Sequence, residues 1–338
     1  MNHSKVSIII LNWNGLKDTI ECLESLKKIT YPNYEVIVVD NGSEGNDADI
    51  LEEKYKGYIR LIRNKENLGF AGGNNVGIKY ALKKYKPEYV LLLNNDIKII
   101  QEDWLGKMVE IAEANEKIGV VGCKLIYPDG RTQYIGTKIC VKGLLWLDPT
   151  ICDNFPEVFE VDAVLGACFL IKKKVLNIIG FFDEGFSPFQ YEESDYCVRA
   201  KMAGFNVCTI SSAKVVHIGS ASMSKIRSNY FDFITKKNEI RFMLLNFPIK
   251  WLICHLPYEI RAFLAYCFLT KDRYKKCSFP FNIRIRKDWR NRTKAYTEAW
   301  FINLRNLREI IVKRRKRTEK VGLIDHCSWT VPRNLDMD

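Results

Sequence analysis

No stretch of this chain offers the roughly 20 uninterrupted apolar residues that a membrane span needs. The most apolar later segment, Phe242 to Leu269, is broken by Lys250, Glu259, Arg261 and two prolines, and reads as interfacial or buried helices. Paired cysteine spacing is also missing. The eleven cysteines are scattered, many inside apolar runs, which argues for reduced thiols in a cytosolic protein and against a disulfide framework. There is no G-x-x-x-x-G-K-[ST] loop, no G-x-G-x-x-G spacing, no internal repeat and no low-complexity linker. The N-terminus enters an apolar strand at once, so no signal peptide is expected.

What is present is a chain long enough, at 338 residues, to bury a large core and carry an appendage. Its charge is unevenly spread. Residues 1–224 hold 26 Lys/Arg against 29 Asp/Glu, whereas residues 225–320 hold 25 Lys/Arg against 8 Asp/Glu. Basicity therefore belongs to the C-terminal third and points to a polyanionic surface. The expected organisation is one major domain over 1–224 and a basic, partly apolar helical extension over 225–338.

The N-terminal part alternates apolar runs with helical patterns. Val6–Leu11, Glu35–Asp40, Tyr58–Arg63, residues 89–96 and Gly119–Leu125 are expected strands. Helices are expected at Lys17–Lys28, up to Tyr55, up to Lys84 and over Asp103–Asn115. This rhythm predicts an α/β fold with a mostly parallel, Rossmann-like sheet flanked by helices. From Tyr127 to Glu160 the periodicity is lost and Trp146 stands alone, available to stack on a sugar or base or to fill the core. A strand-like run at Asp162–Ile171, a loop at Phe181–Gln190, a helix at Glu193–Ala203, a strand at 205–210 and a short one at Val215-Val216 follow.

Polar residues cluster where strands end. Asn12 and Asn14 follow the first strand, Asp40 ends the second, and Asn95 and Asp96 end the run at 89–96. Open α/β sheets bind ligands along that edge. Asp96 there is placed to hold a hard divalent cation shared with substrate phosphates, or else to cap a turn. Asp40 is placed to accept hydrogen bonds from a sugar or base, or to form an Asx-turn. The segment Asn67–Gly77, with Gly69, Gly72 and Asn74, offers close backbone approach and helix-start amides to a nucleotide, or simply tight helix packing. Glu192, Glu193 and Asp195 place three carboxylates within four residues. Their mutual repulsion favours a raised pKa and a general-base role for Glu193 with Asp195 as an anchor; a solvated first helical turn is the bland alternative. His217, after Val215-Val216, is placed to complete a metal site or touch a phosphate, or to sit satisfied in the core.

Taken in order, Val6–Gly15, Val38–Ser43, Asn67–Asn74, Leu91–Asp96, Gly166–Cys168, Phe182–Glu184, Glu192–Asp195 and His217 resemble the family 2 glycosyltransferases of GT-A fold, in particular their rhamnosyltransferase-like branch. The resemblance covers about residues 1–224. It implies an inverting transfer from a nucleotide-diphosphate sugar (dTDP-rhamnose among the donors) to a glycan or polyprenyl-linked glycan. It further implies Mg²⁺ or Mn²⁺ at Asp96, a base-contacting Asp40, a base at Glu193 where many relatives carry Asp, an acceptor-side Asp162, and His217 near metal and diphosphate. The basic extension would lie on the anionic inner face of the cell membrane, with Phe242, Leu244, Leu245, Trp251, Leu252 and Leu256 inserting and Arg241 and Lys250 at the headgroups. Packing on the catalytic domain or formation of an oligomer is the other use of those side chains. A metal-dependent nucleotidyltransferase and a non-enzymatic nucleic-acid-binding protein are the rival readings. The second lacks any recognisable nucleic-acid module, so no nucleic-acid partner is expected.

Overall fold

In a computed structural model of the chain, residues 3–140, 143–147, 156–219, 228–268 and 289–321 are described. The N-terminal elements are β1 (Val6–Asn12), α1 (Leu16–Leu26), β2 (Tyr34–Asp40), α2 (Asp47–Lys54), β3 (Ile59–Arg63), α3 (Gly69–Lys84), β4 (Tyr89–Asn94), β5 (Ile97–Lys98) and α4 (Trp104–Ala114). Then come β6 (Ile118–Ile126), β7 (Thr132–Tyr134), β8 (Thr137–Cys140), β9 (Gly143–Trp146), β10 (Val158–Glu160), β11 (Cys168–Lys172), α5 (Lys173–Ile179), α6 (Glu192–Met202) and β12 (Asn206–His217). The C-terminal helices are α7 (Ser228–Asn246), α8 (Ile249–Phe268), α9 (Trp289–Arg305) and α10 (Leu307–Val321). The chain divides into two compact units, Met1–Lys138 with Leu144–Lys225, and Ile139–Gly143 with Ile226–Asp338.

The first unit is built on one sheet of order β10-β12-β6-β11-β4-β1-β2-β3, with β5 added to β12 and β7 to β6. β4, β1, β2 and β3 are mutually parallel, and β12 runs parallel to β6. β11 is antiparallel to both β4 and β6 and joins the two parallel blocks. The central strands are apolar at nearly every position because both sheet faces are covered, and alternate residues feed opposite cores. Ile8, Ile10, Val36, Val38, Leu91 and Leu93 pack with Leu23, Leu26, Trp104 and Met108 from α1 and α4. Ile9, Ile37, Val39, Val90 and Leu92 pack on the other face with Ile78, Ala81, Val175, Tyr196 and Ala200 from α3, α5 and α6.

Several expectations need correction. The runs at 205–210 and Val215-Val216 are one strand, β12, whose register with β6 shifts between Ile210 and Lys214. That bulge breaks the apolar pattern with Ser211-Ser212, so one strand reads as two. The stretch Tyr127–Glu160 contains β7 to β10 rather than continuous loop, and the run Asp162–Ile171 becomes strand only from Cys168, where β11 begins. α5, with a single turn's worth of apolar residues, gives too short a periodic signal to read. The Trp146 side chain lies outside the described residues.

The C-terminal unit is helical. Its interior takes Ile240, Phe242, Met243, Leu245 and Phe247 from α7 and the α7–α8 turn, Tyr296 and Ala299 from α9, and Ile310 from α10. Phe242 and Leu245 are therefore core residues, and Arg241 is buried in an ion pair with Glu309 at 2.9 Å. None of these three faces outward, contrary to the insertion face expected from sequence; Leu256 and Lys250 do. Leu244, Trp251 and Leu252 are half-buried. Glu259 is a buried hub that accepts hydrogen bonds from Lys236 at 2.8 Å, Trp300 at 3.1 Å and Tyr296, tying α7, α8 and α9 together. Burial pushes its carboxyl up, but His255, Lys236 and Tyr296 together outweigh it and hold the group at about 2. No described helix is long and apolar enough to cross a membrane.

Candidate active site

The parallel register sets Asn12 opposite Asp40 and Leu11 opposite Asn94, so the carboxyl ends of β1, β2 and β4 form one edge. Asn12, fully buried, is the hub of that edge. Its Nδ2 lies 2.9 Å from Asp40 Oδ1, 3.0 Å from Ser43 Oγ and 3.1 Å from Asp47 Oδ2, and its Oδ1 accepts from Thr19 at 2.7 Å. Asp40 also accepts the Ser43 amide at 3.2 Å, which leaves further lone pairs on a carboxylate pinned at the strand tip. Asn14, at φ 50°, clips the same turn through its amide to Ser43 Oγ and its Oδ1 to the Glu44 amide. Asn95 donates to Thr19 Oγ1 at 3.0 Å and so ties the end of β4 to α1.

Just beyond β4, the two-residue strand β5 pairs with the end of β12, and the Ile218 amide donates to the Asp96 carbonyl. This brings Asp96 Oδ1 within 3.4 Å of His217 Nε2, with both side chains largely buried. Gln133 on β7 fixes the histidine. Its Nε2 faces the His217 main-chain carbonyl at 3.4 Å, which can only accept, so its Oε1 is the atom 2.7 Å from His217 Nδ1. Nδ1 therefore carries a proton and donates, leaving Nε2 turned to Asp96. Gly219, at φ 71°, comes so close to Gln133 Nε2 that a Cβ there would lie 3.1 Å from it.

This donor set fits a divalent cation. One hard carboxylate oxygen and one imidazole nitrogen with its tautomer set by a partner are a familiar pair of ligands, and neighbouring positions of an octahedral ion lie about 3 Å apart. Among the described residues no group of three or more His, Cys, Asp and Glu is placed to hold a metal ion. Two protein ligands would leave the remaining positions of such an ion to phosphate oxygens and water.

Two amides at the glycine-rich opening of α3 are engaged within the protein. The Gly69 amide donates to Asn67 Oδ1 at 2.8 Å, and the Phe70 amide to the Pro188 carbonyl at 2.8 Å. Gly69, at φ 73°, lies where a Cβ would meet that carbonyl at 2.7 Å, so only glycine lets the 187–188 segment close over the helix start. A Cβ on Gly72 would lie 2.8 Å from Leu68 Cβ, and Asn74 donates back to the Phe70 carbonyl within its own helix. Gly69 and Gly72 make a packing joint here. Two amides that the sequence does not single out lock it. Asn41 donates to Asn67 Oδ1 and the Gly69 carbonyl while accepting from Asn64 and the Leu68 amide. Asn75 exchanges hydrogen bonds with the Phe182 backbone and donates to Glu184 at 2.9 Å.

The three carboxylates at the start of α6 part ways. Gln190 and Tyr191 both have positive φ, 82° and 74°, a strained entry of the kind found at functional sites. Glu192 is buried. Glu193 is half-buried, and burial pushes its carboxyl up to about 7. Its charge acts on Tyr134 and Cys197 nearby. Asp195 is fully enclosed and accepts from Arg199 Nε at 2.9 Å; Arg199 also donates to the Ile179 and Phe181 carbonyls. It is an anchor for the loop before α6. Asp162 accepts from Lys201 at 2.7 Å.

The candidate site thus comprises a sheet edge with an acidic strand tip, a carboxylate–imidazole pair whose donors suit a metal, and a carboxyl raised toward neutrality. The family described as "Glycosyl transferase family 2" matches residues 7–179, and the chain belongs to it. Among its relatives, the uncharacterized protein y4gI of Sinorhizobium fredii is 32% identical over 233 residues, which cover 64% of this chain and only 25% of y4gI. The low-salt glycan biosynthesis hexosyltransferase Agl10 of Haloferax volcanii is 26% identical, covering 77% of this chain and 81% of Agl10. The dTDP-rhamnosyl transferase RfbF of Shigella flexneri is 27% identical, covering 65% and 72%. In fold, the chain is similar to the mannosyltransferase PcManGT from Pyrobaculum calidifontis in complex with GDP-Man and Mn²⁺, with a TM-score of 0.55, 15% identity, and 91% and 88% of the two chains covered. The fold is GT-A, and the sequence places the chain among the family 2 glycosyltransferases.

Proposed function

We propose that the chain transfers a sugar from a nucleotide-diphosphate donor to a hydroxyl of a glycan or polyprenyl-linked glycan, inverting the anomeric centre, in cell-surface polysaccharide synthesis. The observation that carries this reading is the Asp96–His217 pair held by Gln133 at the edge where Asp40 also ends. Asp40 offers lone pairs to the base or ribose, within the frame set by Asn12, Asn14 and Asn95. Asp96 and His217 would hold Mg²⁺ or Mn²⁺, which when bound supplies positive charge to the departing diphosphate. Glu193 takes the proton from the acceptor hydroxyl. Its raised pKa suits it to do so near neutral pH. Asp195, through Arg199, holds the Phe181–Tyr191 loop that leads into Glu193, while the Gly69 joint and Asn75 hold the same loop from α3. Acceptors on polyprenyl carriers reside at a membrane, which agrees with the basic C-terminal third and with a protein working at the inner face of the cell membrane. The likeness to RfbF favours dTDP-rhamnose among the donors.

The test is a panel of dTDP-, UDP-, GDP- and CDP-sugars incubated with purified protein and Mg²⁺ or Mn²⁺. Release of nucleoside diphosphate from one donor is expected. Release of pyrophosphate, or no turnover together with no binding of any nucleotide sugar, contradicts the proposal.

A further inference from the structure

We infer that α8 is the element by which the chain lies on an anionic lipid surface, through a face the core does not use. Ile249, Ile253, Leu256, Ile260 and Leu264 are 70%, 67%, 56%, 53% and 50% exposed. At 100° per residue these five side chains fall within an arc of about 80°, and they run about 22 Å along the helix. Five large aliphatic side chains left in water on one line is an unusual surface for a soluble unit. His255 and Glu259 turn away from the stripe and are buried, while Cys254 and Tyr258 on the remaining side are exposed.

The charge around the stripe names the occupant. Lys250 and Arg261 are exposed and lie at one edge of the arc, the side where a helix resting at a lipid interface keeps its cations at the headgroups. The one acidic residue of α8, Glu259, is turned inward, so no negative charge stands on the outer face. Residues 225–320 carry 25 Lys/Arg against 8 Asp/Glu, a surplus that attracts an anionic surface and opposes a second copy of the same unit. Pro257 sits within α8 and cannot donate to the Ile253 carbonyl, which favours a helix lying in the wet interface over one buried in hydrocarbon. A second exposed apolar set, Phe301, Leu304, Leu307, Ile311 and Val312, is divided between α9 and α10 and has Glu298 and Glu309 on the same helices. The stripe on α8 is the continuous one.

This deepens the proposed function, because a lipid-linked acceptor requires the enzyme at a membrane, but it is tested separately. The full chain is sedimented with vesicles of phosphatidylcholine alone and of phosphatidylcholine with phosphatidylglycerol. Binding to the second and little to the first is expected. The triple variant Ile253→Ser, Leu256→Ser, Ile260→Ser should lose roughly 100-fold in partitioning, with donor turnover in solution and thermal midpoint unchanged. Lys250→Glu with Arg261→Glu should weaken binding to anionic vesicles and leave turnover alone. Absence of binding to anionic vesicles, equal binding by the triple variant, or a dimer that the triple variant turns into monomer in light scattering would overturn the inference. Turnover that persists while vesicle binding fails removes this inference alone; loss of turnover in the unmodified chain speaks against the transferase reading instead.

Discussion

Asp195→Ala separates an anchor from a catalytic carboxylate. Asp195 is fully buried and Arg199 nearly so, and they meet at 2.9 Å within one turn of α6. Removing the carboxylate leaves a guanidinium enclosed with two carbonyls and no counter-charge. Breaking a buried pair from one side costs about 3–5 kcal/mol. For a unit of this size that is a fall in thermal midpoint of roughly 6–20 °C. Asp195→Asn keeps the shape and one acceptor and should lie between the two. The loop from Phe181 to Tyr191, tethered through Arg199 at Ile179 and Phe181, would loosen, so KM for the acceptor rises more than kcat falls. The measurements are calorimetry of the three proteins and steady-state kinetics at a temperature where all are folded. An Asp195→Ala protein with an unchanged midpoint and a thousandfold loss of kcat would refute the anchor assignment and make Asp195 a participant in the chemistry.

Further outcomes follow from the same geometry. Glu193, held at about 7, must be ionised to accept a proton, so kcat/KM should fall tenfold per pH unit below about 7; Glu193→Gln should abolish transfer at every pH. Burial raises its folded-state pKa above the ordinary carboxylate value, so the ionised form costs stability as pH climbs from that value through about 7. Calorimetry above neutrality should accordingly find Glu193→Gln more stable than the parent. Gln133→Leu frees the His217 ring and should weaken Mn²⁺ binding in the presence of a nucleoside diphosphate about 10- to 100-fold by titration calorimetry, with Gln133→Glu recovering part of it; unchanged affinity would remove Gln133 from the site. Gly69→Ala forces a side chain into the left-handed region against the Pro188 carbonyl and should cost about 1–3 kcal/mol in denaturant unfolding.

Much of the sheet and its functional edge is legible in the amino-acid sequence itself. β1, β2 and β4 announce themselves as nearly unbroken Val/Ile/Leu runs because both faces of the sheet are covered, and each ends in Asn or Asp where the chain turns. Asp40 and Asp96 therefore fall on one edge whatever the strand order. The meeting of Asp96 with His217 is not legible in this way. It depends on β5, two residues long, finding the end of β12 about 120 positions further along the chain, and so short a strand leaves no periodic trace. The insertion of antiparallel β11 between two parallel blocks is equally invisible, since a buried strand reads the same in either direction. Asn41, Asn75 and Gln133 give no sequence signal for a related reason. An amide in a polar stretch looks like any solvated side chain until the backbone it bonds is known. In the C-terminal unit, composition marks α7 and α8 as apolar and basic but not which face of each is spoken for. Phe242 and Arg241 turn inward, and the outward stripe falls to Ile249, Ile253, Leu256, Ile260 and Leu264.

The measurement that bears most directly on the central claim is nucleoside diphosphate release from the donor, followed with and without Mn²⁺, in the unmodified protein, Asp96→Ala and His217→Ala. Release that depends on the metal, stops in EDTA, is lost in Asp96→Ala and falls steeply in His217→Ala is the predicted result. Release that is indifferent to EDTA and undiminished in both variants would show that the Asp96–His217 edge is not where the diphosphate departs.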